Sequence, residues 1–343
     1  MSELPSRMKA LVQLHSGFTD KPEPFKLETM APYVALEEIA VPEPGDDQVV
    51  VKVAAASVNP SDVMFIKGMY GQPRREGVPA GFEGVGEVVG GKAAGEGLVG
   101  KRVAFTGTGS GTWAEYAITD ASVCIPLMEG IRDEDGAALI VNPMTAIAMF
   151  GIVKDEGQKS FVMTAGASQL CKLIIGLAAQ EGYRPIVTVR RDEQIEPLKA
   201  LGAVHALNEK AADFHARMAE ILREEKPRIF LDAVTGDLAA TIFHAMGGGA
   251  RWIIYGRLDE SLPVIKEPGH MIFLGKRIEG FWLVRWMREA GEEGRIAAVM
   301  EVQKQFLTGN WSTDISARLS LEEAMEGLPG ALAVPNGKVF IVP

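Results

Sequence analysis

The chain has 343 residues, enough for two domains with separate cores, and its 47% hydrophobic and 23% charged composition is that of a soluble globular protein. A net charge of −10 without a basic stripe argues against a nucleic-acid partner, and no uncharged apolar run reaches the roughly 18 residues a membrane span needs. The opening MSELPSRMKALV lacks a signal core or an arginine-rich presequence, so a cytoplasmic protein is expected, and Cys124 and Cys171 have neither metal-ligand nor disulfide spacing.

In chain order, Met8 to Leu14 reads as a short strand and Gly17 to Pro32 as a Pro-containing excursion. The Val- and Ala-rich run Gln48 to Val58 predicts a long strand that delivers Asn59-Pro60-Ser61-Asp62. A helical segment, Val63 to Lys67, is then broken by Gly68-Met69-Tyr70-Gly71, which sets a phenol between glycines. Strands at Gly84 to Val89, Lys101 to Thr106 and Thr112 to Ile118, each bounded by glycines, indicate a small barrel-like all-β region. From Asp133, a candidate cap, the character turns helical, with a second helix near Pro143.

Phe161 to Arg191 reads as strand, tight turn, helix, strand and two arginines, a mononucleotide-binding βαβ unit. Leu170, Leu173, Ile174, Leu177 and Ala178 recur at helical spacing, so one face packs on a sheet while the N-terminal amides point toward an anion. The glycine fingerprint is replaced by Ala165, Ser168 and Cys171, small residues that permit the same turn at some cost, and an ordinary crossover has the same pattern. Arg190 and Arg191 stand where an NAD site carries a carboxylate, which favours the 2′-phosphate of NADPH; Asp192 competes, either as that carboxylate or as a cap for Glu193 to Leu201.

Further strands at Ile186 to Val189, Ala203 to Leu207, Arg228 to Leu231, Ala250 to Tyr255 and Arg277 to Phe281, with helices between most, predict a doubly wound parallel sheet. After Arg285 come helices at Glu293 to Leu307 and Leu321 to Gly327 and a last strand, Lys338 to Val342, expected to return to the first domain. The five histidines, His15, His205, His215, His244 and His270, have no ligand or triad spacing and are assigned no catalytic role.

Asn59-Pro-Ser-Asp62, Gly68-Met-Tyr-Gly71, Gly81-Phe-Glu-Gly84, Gly111-Thr-Trp113, Val141-Asn-Pro143 with Thr145-Ala146, Leu201-Gly-Ala203 and Gly280-Phe-Trp-Leu283 together resemble the medium-chain dehydrogenase/reductase superfamily. The likeness is strongest to its zinc-independent branch, to mitochondrial-type 2-enoyl thioester reductases and then NADPH:quinone oxidoreductases. Asn59, Phe82 and Val141 stand where zinc members carry Cys, His and Cys; Glu83 is retained, and no metal is expected. The resemblance implies a GroES-like β-barrel catalytic domain, residues 1–128 and 288–343, and a Rossmann domain, residues 129–287, in a homodimer with a small-molecule substrate.

By the same resemblance Tyr70 is the proton donor and Asn59 orients the substrate or the tyrosine. Asn142 and Thr145 approach the nicotinamide end, Ala167, Ser168, Gln169 and Leu170 the pyrophosphate, and Arg190, Arg191 and Asp192 the 2′-phosphate. Tyr255, Gly256, Arg257, Leu258, Phe281, Trp282, Leu283 and Lys338 complete the cofactor site, with Trp282 also lining an acyl pocket. Two features depart from the family: Cys171 replaces the last loop glycine, and an extra segment lies near Asp20 to Tyr33. The implied activity is NADPH-dependent reduction of a conjugated C=C bond; a quinone reductase is the near alternative, and a non-catalytic dinucleotide-binding protein the alternative of another class.

Overall fold

The computed structural model describes residues 4–21, 23–333 and 337–343; Met1–Glu3, read above as part of a leaderless start, and Pro22, within the extra segment, lie outside the described residues. The chain forms two compact units, Met1–Asn142 with Val299–Pro343, and Pro143–Ala298. In order, the first stretch carries β1 (Arg7–Gln13), β2 (Val34–Ala40), β3 (Gln48–Val58), α1 (Pro60–Ile66), β4 (Glu83–Gly91), β5 (Arg102–Thr106), β6 (Tyr116–Asp120), β7 (Ile125–Pro126), α2 (Asp133–Ala137) and α3 (Val141–Glu156). The alternating stretch carries β8 (Ser160–Met163), α4 (Gln169–Gln180), β9 (Arg184–Val189), α5 (Ile195–Leu201), β10 (His205–Asn208), α6 (Phe214–Glu225), β11 (Ile229–Asp232), α7 (Gly236–Ala245), β12 (Arg251–Ile254), α8 (Gly269–Leu274) and β13 (Arg277–Gly280). There follow α9 (Leu283–Glu289), α10 (Gly291–Leu307), β14 (Ile315–Leu319), α11 (Leu321–Ala333) and β15 (Lys338–Ile341).

In the first unit a mixed sheet runs β14-β15-β3-β4-β5-β7, with β6 also paired to β3. Strand β3 shows why: Val49, Val51 and Val53 enter a core with Phe105, Trp113 and Ile341, while Lys52 and Ala54 between them are exposed. The last strand, β15, does return to this sheet, antiparallel to β3 and parallel to β14.

Several expectations are adjusted. The run from Thr112 pairs regularly only over β6; Trp113 is instead buried, its amide donating to Ala80 O at 2.9 Å. Asp133 is not a cap, since Arg132 holds that position without a side-chain bond and Asp133 pairs with Arg102 at 2.8 Å. Residues 129–142 go with the first unit because Ala137 and Ala138, in and just after α2, pack on Ala55, Val85 and Phe340. Residues 288–298 go with the second. Strands β2 and β14, half-exposed and mixed in polarity, give no clear alternation in the sequence.

In the second unit six parallel strands run β10-β9-β8-β11-β12-β13. Numbered along the chain this is the 3-2-1-4-5-6 order of a doubly wound dinucleotide fold, whose direction reverses between β8 and β11. Helix α4 buries Leu170, Leu173, Ile174, Leu177 and Ala178, the face its spacing predicts. At the amino ends of the strands Glu225, closing α6, accepts from Arg184 Nε at 2.8 Å and Ser160 Oγ at 2.6 Å and pairs with His205 Nε2 at 3.0 Å. These are the first residues of β9, β8 and β10, so one carboxylate ties three strands.

The hydrogen-bonded Arg184 guanidinium beside Glu225 holds its carboxyl down at about 2, below the ordinary 4.5. A depressed carboxylate stabilises the folded state above its unfolded pKa, and that contribution disappears as pH falls through the folded value. Glu225→Gln should therefore cost about 1.5–3 kcal/mol at pH 7. In chemical denaturation the gap from wild type should close as pH falls from 4.5 toward 2; a gap constant across that window would refute the clamp.

Candidate active site: a buried charge network and a dinucleotide loop

In the first unit the strand register sets the chemistry. Pairing of Val339 with Val58 brings Lys338 beside Asn59, and pairing of Gly84 with Ala56 brings Glu83 beside Ser57. All are buried: Lys338 is 5% exposed, Glu83 1% and Asp62 0%. Lys338 Nζ donates to Asn59 Oδ1 and lies 3.8 Å from Glu83 Oε1. Glu83 accepts from Ser57 Oγ at 2.6 Å, Asn59 Nδ2 at 3.0 Å and the amides of Ile140 at 3.0 Å and Val141 at 2.8 Å.

Asp62, in the first turn of α1, accepts from the amides of Asn59 and Phe82, both at 2.8 Å. The two carboxylates thus gather Asn59, Phe82 and Val141, three segments far apart in sequence. Tyr70 lies half-buried in the loop after α1, its ring 5.0 Å from that of Phe82, which is 4.9 Å from Phe65. A phenol of pKa about 10 held on a fixed aromatic wall can act as a proton donor if the phenolate is stabilised. Asn59 is joined to the network rather than to Tyr70 by the bonds named above, and Asn142 is the second residue of α3.

In the second unit the remaining expected residues, Thr145 aside, follow the carboxyl ends of parallel strands. Ala167 and Ser168 follow β8, Arg190 to Asp192 follow β9, Tyr255 to Leu258 follow β12 and Phe281 to Leu283 follow β13. Thr145 is buried in α3. Ser168 caps α4, accepting from Cys171 N at 3.2 Å, and Gln169 and Leu170 open the helix. Leu258 N donates to Ala233 O at 3.0 Å and Phe281 N to Ile254 O at 2.8 Å. Arg190 is exposed and Arg191 pairs with Glu193 at 3.1 Å. Asp192 does not cap α5; its carboxylate accepts from Asn208 Nδ2 at 2.9 Å.

A dinucleotide phosphate fits this end on two counts. Gly166 is drawn so close to β9 that an added Cβ would lie 2.8 Å from Val187 Cβ, which holds the loop under the first turn of α4, where amides point outward. Two guanidinium groups close the neighbouring strand, the donor set for an extra phosphate. Cys171 fills the missing-glycine position, its thiol donating to Thr164 O at 3.3 Å and lying 3.5 Å from Tyr255 Oη, while Ala165 takes the left-handed turn at φ +53°.

The network of Asp62, Glu83 and Lys338 escapes sequence reasoning, as does Asp232. Asp232 accepts from Thr164 Oγ1 at 2.5 Å, Trp252 Nε1 at 2.8 Å and Thr235 N at 3.0 Å, fixing the loop after β11. The one signal for both is a charge where an apolar strand begins or ends.

The alcohol dehydrogenase GroES-like domain model matches residues 45–129 and the zinc-binding dehydrogenase model residues 170–298. The mitochondrial enoyl-[acyl-carrier-protein] reductase of Bos taurus is 30% identical over 83% of this chain and 75% of its own. A Mesorhizobium loti protein with the provisional designation NADPH:quinone reductase is 60% identical, over 99% of this chain and 100% of its own, at a TM-score of 0.96. The mitochondrial 2-enoyl thioester reductase heterodimer of Candida tropicalis, 20% identical over 99% and 100% of the chains, shares the fold at a TM-score of 0.80.

Burial pushes the Asp62 carboxyl up to about 7, against the pull of its backbone bonds and of Lys338, and burial lowers Lys338. Because the Asp62 pKa is raised, its protonated form favours the folded state, an advantage lost as pH rises through about 7. Lys338→Met should cost about 3–5 kcal/mol by leaving buried carboxylates without a countercharge. The penalty should be larger at pH 8 than at pH 6, where a proton on Asp62 replaces the ammonium; a pH-independent loss in denaturation would refute the network.

Proposed function

Because this chain belongs to the medium-chain dehydrogenase/reductase superfamily, we propose that it is an NADPH-dependent reductase of activated C=C bonds, with 2-enoyl thioesters as the leading substrate class. The observation that carries the reading is Tyr70, its ring packed on Phe82 and the Phe82 amide held by buried Asp62. When bound, NADPH supplies a hydride to the β-carbon of the conjugated bond. Tyr70 then protonates the α-carbon, Asn59 helps to orient the site, and solvent restores the phenol.

In this reading the first unit is the catalytic domain, expected above over residues 1–128 and 288–343, and the second is the cofactor domain, expected over 129–287. The compact units support the order of these parts, with boundaries displaced to Asn142 and Val299. On the same reading Ala167, Ser168, Gln169 and Leu170 hold the pyrophosphate and Arg190 and Arg191 the 2′-phosphate, beside Asp192; Asn142, Thr145, Tyr255 to Leu258, Phe281 to Leu283 and Lys338 complete the cofactor surroundings. The chemistry is zinc-independent in this reading: Phe82 and Val141 offer no donor atom, and the Asn59 side chain is engaged by Lys338 and Glu83.

A cytoplasmic location accords with Cys124 and Cys171, which form no disulfide, and no described helix is long and apolar enough to cross a membrane. We also assign a homodimer joined along β13, one of the two edges of its sheet. Exposed Ile278 on that strand and Ile272 and Phe273 on α8 favour a second copy there. Sedimentation should give the mass of two 36.9 kDa chains, and a monomer at micromolar concentration would exclude it.

The second reading, a quinone reductase, is favoured by the 60% identity to the Mesorhizobium loti protein. NADPH oxidation with crotonyl-CoA, a long-chain enoyl-CoA and a naphthoquinone separates the two. The leading reading expects turnover of a thioester, a preference for NADPH over NADH, and a roughly hundredfold loss of kcat in Tyr70→Phe with NADPH affinity kept. Turnover of the quinone alone would select the second reading.

A further inference from the structure

The excursion between β1 and β2, residues 14–33, returns on itself: Leu14 N donates to Tyr33 O at 3.0 Å and His15 Nε2 lies 2.9 Å from Pro32 O. Leu27 and Met30 anchor it in the core. It is tied to both feet of the loop that bears Tyr70. On the near side Thr19 N donates to Gly68 O at 3.0 Å, and Lys67, 2% exposed, donates through Nζ to Pro24 O at 2.7 Å and Lys26 O at 2.8 Å while lying 5.5 Å from the Tyr33 ring centre. On the far side Gly17 and Arg74 exchange backbone bonds of 3.0 and 3.1 Å, and the Arg74 guanidinium, also buried, donates to Gly17 O at 3.0 Å and to Ile66 O at 3.3 Å.

Between these feet the chain is short, and its entry is fixed. Helix α1 ends in paired bonds, Met69 N to Met64 O and Gly68 N to Phe65 O, both 2.8 Å, with Gly68 at φ +73°. A Cβ on Gly68 would lie 2.6 Å from Arg74 Cζ and 2.7 Å from Thr19 N, so the excursion, the helix end and Arg74 meet at that glycine. An ammonium withdrawn from water to hold two carbonyls of a surface excursion is a costly way to fasten a loop. The cost is reasonable where the loop's position matters, since misplacing a reacting group by about 1 Å can cost a hundredfold in rate.

We propose that Lys67 is a positioning residue for the proton donor, binding the 14–33 excursion to the foot of the Tyr70 loop so that the phenol is held at the substrate α-carbon. This rests on Tyr70 as the donor. Lys67 need not touch substrate or coenzyme; it acts through the backbone that carries Tyr70.

The test is a double-mutant cycle on the full chain, measuring NADPH oxidation with crotonyl-CoA, NADPH affinity and melting temperature. Lys67→Met should lower kcat about ten- to a hundredfold with NADPH affinity unchanged, and Lys67→Arg should restore part of it. In a Tyr70→Phe background Lys67→Met should have no further effect on kcat, because the group it positions is gone. Should Lys67→Met fail to fold, Thr19→Pro, which deletes the donor to Gly68 O, should give the same pattern in both backgrounds. A full kcat in the foldable Lys67 or Thr19 variant, or an equal loss with and without the Tyr70 hydroxyl, overturns the positioning role while leaving Tyr70 as donor. A full rate in Tyr70→Phe alone overturns the donor and the positioning role together.

Discussion

An ammonium between carboxylates, out of reach of water, is the constraint from which the first unit is arranged. Lys338 stands at the start of β15, Glu83 at the start of β4 and Asp62 in the first turn of α1, and each is essentially enclosed. Taking these charges out of water costs several kcal/mol apiece unless every lone pair and proton is met. The carboxylates are met by backbone, since the amides of Asn59, Phe82, Ile140 and Val141 all end on them, and the ammonium is met by the Asn59 side chain. The network therefore specifies where four chain segments must converge, and a misregistered β15 would strand the charges rather than merely loosen a contact.

The second unit solves a different problem with the same means. Its parallel strands end together, so whatever binds there meets the loops of several strands at once. Asp232 and Ser168 organise two of those loops by accepting backbone N–H groups, and Gly166, in the same loop as Ser168, lets that loop lie against β9. The missing glycines are tolerated because Cys171 and Ala165 are small, and because the thiol replaces empty space with contacts to Thr164 and Tyr255. What a glycine-rich loop achieves by lacking side chains is reached here by side chains that fit.

Much of the second unit was legible because its signals are local. A short apolar run, a turn of small residues and a helix with one apolar face can be read within thirty residues, and the observed α4 and its neighbouring strands follow that reading. The Arg190-Arg191 pair was equally visible, being a property of composition at a strand end. Misreadings arose where polarity was shared between faces, as in β2 and β14, or where a residue type had two uses: Asp133 and Asp192 look like caps but bond to Arg102 and Asn208.

By itself the sequence determined the alternation of strands and helices, the return of the last strand, the phenol between glycines and the absence of thiol or imidazole at Asn59, Phe82 and Val141. Those are matters of residue type and short-range period. Only the tertiary structure decided that Lys338 and Asn59, 279 positions apart, share a hydrogen bond, and that Gly17, Thr19, Pro24 and Lys26 bond to the segments flanking Tyr70. Strand register and long-range burial set those partnerships, and neither leaves a periodic mark in the chain that a local reading could detect.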